Sequence, residues 1–190
     1  WVNDGSLRVG PRSAGSTPGP ICYSRGGTEI TVTDANLLLG RIGASSLLDG
    51  ELTLDVETVS AAMEALCAQV GMTDKFELAE GIIRLAVVKM ANAIREISLQ
   101  RGHDPAAFAL LALGGAGPMH AAETAGELGI ARVVVPRYPG NLSALGLVSS
   151  DLRLDYSTSF RVLLDTMDLV RAIADFDRMV ARGKQELAKG

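Results

Sequence analysis

Leu110-Leu-Ala-Leu-Gly-Gly-Ala-Gly-Pro-Met-His120 constrains this chain more than any other stretch. An apolar run suited to a buried strand meets Gly114, Gly115 and Gly117, and Pro118 then opens a helix-forming segment. Proline is favourable at a first helical position, where its missing N–H would have no partner anyway. Strand, glycine turn and helix in that order mark an α/β unit. Backbone without Cβ atoms lets a ligand come close, and the helix start adds unpaired N–H groups with partial positive charge. In open α/β sheets, ligands settle at such strand ends. A turn that merely packs strand on helix has the same composition, so the glycines alone leave both readings open.

The missing residues narrow the ligand. A dinucleotide fingerprint needs G-x-G-x-x-G and an acidic residue about 20 positions on. Here Gly115 and Gly117 supply the first pair, but His120 takes the third place, and the next strand ends Val134-Val135-Pro136 without a carboxylate. A phosphate loop ending in Gly-Lys-Ser/Thr is also missing.

Around this turn the chain divides into recognisable parts. Trp1–Val2 and Leu7–Val9, joined through Asn3-Asp4-Gly5, predict a hairpin, since Asp-Gly suits a tight turn. Gly10 to Gly27 is a long loop rich in Gly, Pro, Ser and Arg, of a length that is often functional. Thr28–Thr33 is predicted as a short β-branched strand, with Asp34 capping a brief helix through Leu37–Leu39. Asp55 and Gly71 bound one helix whose stripe is Val56, Val59, Met63, Leu66 and Val70. Asp74 with Glu77 starts another that runs to Arg101. Phe108–Leu113 is then a buried strand, Pro118–Leu128 a helix, Arg132–Val135 a second strand and Asn141–Ser149 a small-residue helix. Ser159–Leu164 is a further candidate strand, and Asp165 caps a final amphipathic helix carrying Leu169, Ile173, Phe176 and Val180. Trp1 opening inside a strand, and Gly190 following directly on a helix, are what a piece of a longer protein would show.

Composition excludes several classes. A net charge of −4 with no long Lys/Arg block argues against general nucleic-acid binding. No apolar run approaches the roughly 20 residues of a membrane span, and no signal peptide is visible, so a cytoplasmic address is expected. Cys22 and Cys67 form neither a disulfide framework nor a metal-ligand spacing.

Three stretches together resemble a known family. They are Val9-Gly-Pro-Arg-Ser-Ala-Gly-Ser-Thr-Pro-Gly-Pro-Ile-Cys-Tyr-Ser-Arg-Gly-Gly27 continuing to Thr33-Asp34-Ala35-Asn36; Ala93-Ile-Arg-Glu96 through Arg101-Gly-His-Asp-Pro105; and Gly114-Gly-Ala-Gly-Pro-Met-His120 with Pro139-Gly and Ser143-Ala-Leu-Gly146. The chain resembles the hydantoinase A/5-oxoprolinase group, which includes acetone and acetophenone carboxylase subunits. The resemblance implies an α/β fold similar to the actin/Hsp70/sugar-kinase (ribonuclease H-like) ATPases. Residues 1–155 would be an incomplete nucleotide-side lobe, and 156–190 the start of the following segment. It implies an ATP-dependent enzyme that activates a carbonyl, either opening cyclic amides of the hydantoin or 5-oxoproline type or, alternatively, carboxylating a ketone. ATP with a divalent cation, magnesium, and a hydantoinase B-like partner subunit or domain are implied with it. The family's phosphate-gripping Asp-Gly-Gly-Thr motifs are missing here, so this stretch alone is not expected to turn over ATP. A reading of another class is a non-catalytic lobe that holds a partner through the final helix.

Candidate residues follow from both lines. Gly114, Gly115, Ala116 and Gly117 are expected to lie against the adenosine, with His120 in the first helical turn beside base or ribose. Asp34 is a candidate for catalysis and for a metal, since divalent cations take carboxylates; it is equally a normal helix cap. Glu29 is a second catalytic candidate. Arg12 and Arg25 suit either an anion or a packed loop. Cys22 is a nucleophile only if its pKa is low, and otherwise a buried thiol. His103, Arg95 and Glu96 are expected to be structural.

Overall fold

The computed structural model describes residues 1–3, 5–45, 53–159 and 167–188. It divides into two compact units, Trp1–Leu142 and Ser143–Gly190.

The first unit is built around one long helix. β1 (Val2–Asn3) pairs antiparallel with β2 (Ser6–Leu7), and Asp4 of the expected turn lies outside the described residues. After the loop, which holds a single 3-10 turn at Ile21–Tyr23, comes α1 (Val32–Leu38). α2 (Val56–Val70) is capped by Asp55 and stopped by Gly71, whose φ of 74° suits a residue without Cβ. α3 (Lys75–Gln100) is capped by Asp74, which accepts from the N–H groups of Phe76 and Glu77. α1, α2 and α4 (Gly117–Leu128) all pack on α3.

The apolar spacing decides what each face of α3 meets. Leu78, Ala79, Ile82, Ile83 and Val87 bury against Ala35 of α1 and against Met63 and Cys67 of α2. One turn further on, Ala91 and Ile94 meet Ala125 and Leu128 of α4 and Leu110 of the adjoining strand. A smaller cluster of Ile21, Cys22, Leu37, Leu54 and Val59 seats the loop on α1 and α2.

β3 (Ala109–Leu111), α4 and β4 (Arg132–Val134) form a β-α-β unit whose strands pair in parallel, Leu110 opposite Val133. The expectation of a buried strand at Phe108–Leu113 is corrected. Leu111 is 51% and Val134 50% exposed, because α4 and α3 cover only the Leu110 side. The expected strand at Thr28–Thr33 is also corrected. Thr31 and Asp34 form a reciprocal capping box, so Val32 and Thr33 are helical. Two residues' local hydrogen bonding outweighs β-branched propensity there.

In the second unit α5 (Leu142–Ser149) is followed by extended chain and α6 (Leu169–Leu187). The cap of α6 is Asp168; Asp165, and Phe160–Leu164 of the candidate strand, lie outside the described residues. Tyr156 covers Gly183 of α6, and its hydroxyl donates to Glu186 at 2.5 Å.

Gly27 sits where the loop folds against itself: a Cβ there would stand 2.2 Å from the Gly19 carbonyl oxygen. Backbone cannot yield as a flexible side chain does. Gly27→Ala is expected to cost about 1–3 kcal/mol. Gly126→Ala in α4, where a Cβ meets nothing within 4 Å, should instead gain about 0.5–1 kcal/mol. Thermal unfolding of the intact protein checks both signs.

Candidate functional site

Asp34 is fully buried and both its oxygens are engaged. Oδ1 accepts the Cys22 N–H at 2.9 Å. Oδ2 accepts from the Thr31 N–H at 2.8 Å, the Thr31 hydroxyl at 2.7 Å and the Ile21 N–H at 3.3 Å. The carboxylate therefore ties the end of the long loop to the start of α1. Its acceptor capacity is turned inward, toward protein donors. Among the described residues no group of three or more His, Cys, Asp and Glu side chains is placed to hold a metal ion.

The glycine turn has the opposite character. Gly114 adopts φ 86° and its N–H donates to the Pro139 carbonyl at 2.9 Å, which anchors the turn's base. Ala116 caps α4 without any side-chain hydrogen bond. The N–H groups of Gly115, Ala116 and Gly117 find no acceptor among the described residues. A Cβ built on Gly114, Gly115 or Gly117 meets nothing within 4 Å. Three free donors, the N-terminus of a twelve-residue helix and open space lie together at the end of β3. Such an arrangement suits an anionic or hydrogen-bond-accepting ligand.

His120 belongs to the first turn of α4, yet its ring points into the protein and is 4% exposed. Its Nε2 lies 3.3 Å from Asn36 Nδ2 of α1, and its Nδ1 lies 4.0 Å from Glu123 Oε2. Arg41 holds Glu123 through two hydrogen bonds of 2.8 and 3.1 Å. Burial pushes the imidazole below its ordinary pKa; Glu123 opposes that shift and Arg41 adds to it. The Arg41 contact in turn lowers the Glu123 carboxyl. Sequence reasoning placed His120 near the turn but missed Asn36, Arg41 and Glu123 as its setting. Asn36 is 84 residues away in the chain, and no local pattern signals such a pair.

The remaining candidates are dispersed. Glu29 is exposed and paired with Arg12 at 2.9 and 3.0 Å. Both line a cavity of about 310 Å³ with Arg8, Thr31 and Thr33, apart from the glycine turn. Arg25 lies over the Tyr23 ring at 6.0 Å. Cys22 is buried and its thiol is pushed up to about 12, first by burial and then by Asp34, which removes it as a nucleophile at neutral pH. Cys67 is core. His103 stands edge-on to Phe108, and Arg95 donates to the Glu127 carbonyl, tying α3 to α4.

A parallel β-α-β unit with a glycine turn at its strand end makes this an α/β protein. Residues 1–156 match the Hydantoinase/oxoprolinase family, and the chain belongs to that family. It is 40% identical to the caprolactamase subunit alpha of Pseudomonas jessenii over 96% of this chain and 27% of that protein. It is 37% identical to the acetophenone carboxylase gamma subunit of Aromatoleum aromaticum, over 95% of this chain and 25% of that one. The crystal structure of the ATP-dependent caprolactamase from Pseudomonas jessenii superimposes with a TM-score of 0.74 at 38% identity, covering 99% of this chain and 28% of that one. The chain thus spans about a quarter of the length of these relatives.

Two outcomes follow. Asp34→Ala strands three backbone N–H groups and a hydroxyl, so it should cost about 3 kcal/mol or more. Limited proteolysis should then cut between Gly10 and Gly27 far faster than in the wild type; unchanged cleavage would contradict the clasp. The second concerns pH. A buried His120 with a lowered pKa binds its proton less readily folded than unfolded, so its contribution is complete above about 6.5 and is lost as pH falls below that value. Glu123, also lowered, acts in the same direction below about 4.5. Stability measured by thermal unfolding should decline from pH 7.5 to 5.5, and His120→Gln should flatten that decline.

Proposed function

We propose that this chain is part of an ATP-dependent hydrolase that opens cyclic amides, in which Gly114–Gly117 lie against the adenosine side of the nucleotide. The observation that carries the reading is the turn itself: unpaired N–H groups on a stretch whose glycines have no neighbouring atom within 4 Å of where a Cβ would stand. Membership of the hydantoinase/oxoprolinase family supports it. So does the likeness to an ATP-dependent caprolactamase, an enzyme named for a cyclic amide. The lobe would then be of the actin/Hsp70/sugar-kinase kind, working in the cytoplasm with a hydantoinase B-like subunit or domain.

ATP supplies the means of activating the ring carbonyl. The residues described here bind and orient; the free N–H groups of the turn donate to the nucleotide, and β3 with the Pro139 carbonyl holds the turn in place. The divalent cation expected with ATP is not matched by this stretch, since Asp34 is saturated by protein donors and no acidic cluster accompanies it among the described residues. In this reading cation and phosphate contacts come from elsewhere in the full protein, and this stretch alone does not hydrolyse ATP.

A second reading, a subunit of an ATP-dependent ketone carboxylase, is favoured by the comparable identity to the acetophenone carboxylase gamma subunit. Phosphate release by the intact protein, measured with hydantoin, 5-oxoproline or a larger lactam, separates the two. Release that depends on a ring substrate supports the hydrolase; release that depends on bicarbonate and a ketone supports the carboxylase and rejects the first reading. Gly115→Leu tests the nucleotide contact directly. A Cβ there meets nothing within 4 Å, so the variant should melt like the wild type while binding ATP at least about tenfold more weakly.

A further inference from the structure

Asn36 and His120 make a contact that the nucleotide reading does not use. Asn36 is 1% and His120 4% exposed. The Asn36 amide nitrogen donates to the Val32 carbonyl at 2.9 Å. A carbonyl only accepts, so this bond fixes which end of the amide is nitrogen. The same nitrogen stands 3.3 Å from His120 Nε2. Its second hydrogen can be received there only if Nε2 carries none. The neutral ring therefore holds its proton on Nδ1, facing Glu123 Oε2 at 4.0 Å. Nδ1 and the Asn36 Oδ1 are both buried without a hydrogen-bond partner. A polar contact kept at that cost fixes geometry rather than adding much stability.

Its position says which geometry. Asn36 and Asp34 are two residues apart on α1, about 200° around the helix, and so face opposite ways. Asp34 grips the loop, and Asn36 grips His120, three residues after Gly117. We propose that Asn36 and His120 are positioning residues for nucleotide binding: their contact fixes the first turn of α4, and with it the N–H groups of Gly115, Ala116 and Gly117. This rests on the nucleotide reading above and adds the part of the protein that sets the turn.

Protonation offers a reversible way to break the contact. A proton on Nε2 would set donor against donor at Asn36. The charged groups around the ring are Glu123 on α4, which favours the proton, and Arg41 beyond α1, which opposes it. Glu80 and Arg84 of α3 line the neighbouring groove with Arg41 and Glu123, and Glu80 acts on Arg41.

The test uses the intact full-length protein and measures ATP affinity by calorimetry, and KM for ATP against kcat, from pH 5.5 to 8. In His120→Gln the amide oxygen can accept from Asn36 Nδ2 as Nε2 does, without titrating. In His120→Leu nothing accepts. At pH 8, H120Q should bind ATP within about twofold of the wild type. H120L and N36A should bind about tenfold more weakly, with the change in KM rather than kcat. The nucleotide's phosphate also titrates in this range, so the informative quantity is the ratio of wild type to H120Q. Wild-type affinity should fall about threefold or more relative to H120Q between pH 8 and 5.5. If H120L does not fold, that ratio and N36A carry the result. A constant ratio, or N36A folded with unchanged affinity, overturns the positioning role while leaving the nucleotide reading intact. A wild-type protein that binds no ATP at any pH overturns both.

Discussion

The four hydrogen bonds converging on the Asp34 carboxylate are the constraint from which the rest of the first unit follows. A loop of this length, carrying so many glycines, has high conformational entropy to lose. Charge-assisted bonds to its backbone at Ile21 and Cys22 make one conformation preferable. The same carboxylate completes the capping box with Thr31, so pinning the loop and starting α1 are a single event. Apolar packing then finishes the seat: Ile21 and Cys22 bury beside Leu37, Leu54 and Val59.

α1 is only seven residues long, and by itself a helix of that length would not persist in water. It is held because each side has a partner. Ala35 enters the α3 core, Asp34 takes the loop, Asn36 reaches α4, and Arg41 just beyond it pairs with Glu123. The Arg41–Glu123 bond is partly exposed and adds little energy alone. Its value is placement: together with Asn36–His120 it gives α4 two fixed points near its first turn. Both points lie within about two turns of the glycines that precede the helix.

Much of the helical framework was legible because it is written in local signals. Asp55 with Gly71, Asp74, and Pro118 after the glycines mark ends that depend on neighbouring residues alone. The errors came where a short-range competitor or a distant partner decided. Thr31 and Asp34 turned a β-branched run into helix. The strand at Phe108–Leu113 was expected to be buried from its apolar composition, but composition cannot say which other segments lie on each face. The glycine turn was correctly found as open backbone at a strand end. Asp34 was singled out for its carboxylate, and only coordinates show that both its oxygens are already engaged by protein donors. His120 was noticed for its place after the glycines, while its ring is oriented by a residue 84 positions earlier.

The described residues bring binding groups together but no reactive ones. The thiol of Cys22 is buried and protonated, Asp34 is saturated, Glu29 is neutralised by Arg12, and His120 faces inward with its acceptor nitrogen occupied. General acid–base or nucleophilic work needs a group that reaches substrate with an available lone pair or proton, and none of these has one at the turn. What remains is a rigid, unobstructed row of backbone donors. Such a row suits a hydrogen-bond-accepting ligand whatever reaction is done on it. On the nucleotide reading proposed above, that would fit the near-equal identity to a caprolactamase subunit and to an acetophenone carboxylase subunit. On that reading the residues that tell the two reactions apart would act on the carbonyl substrate, and the architecture here would serve the nucleotide step that both share.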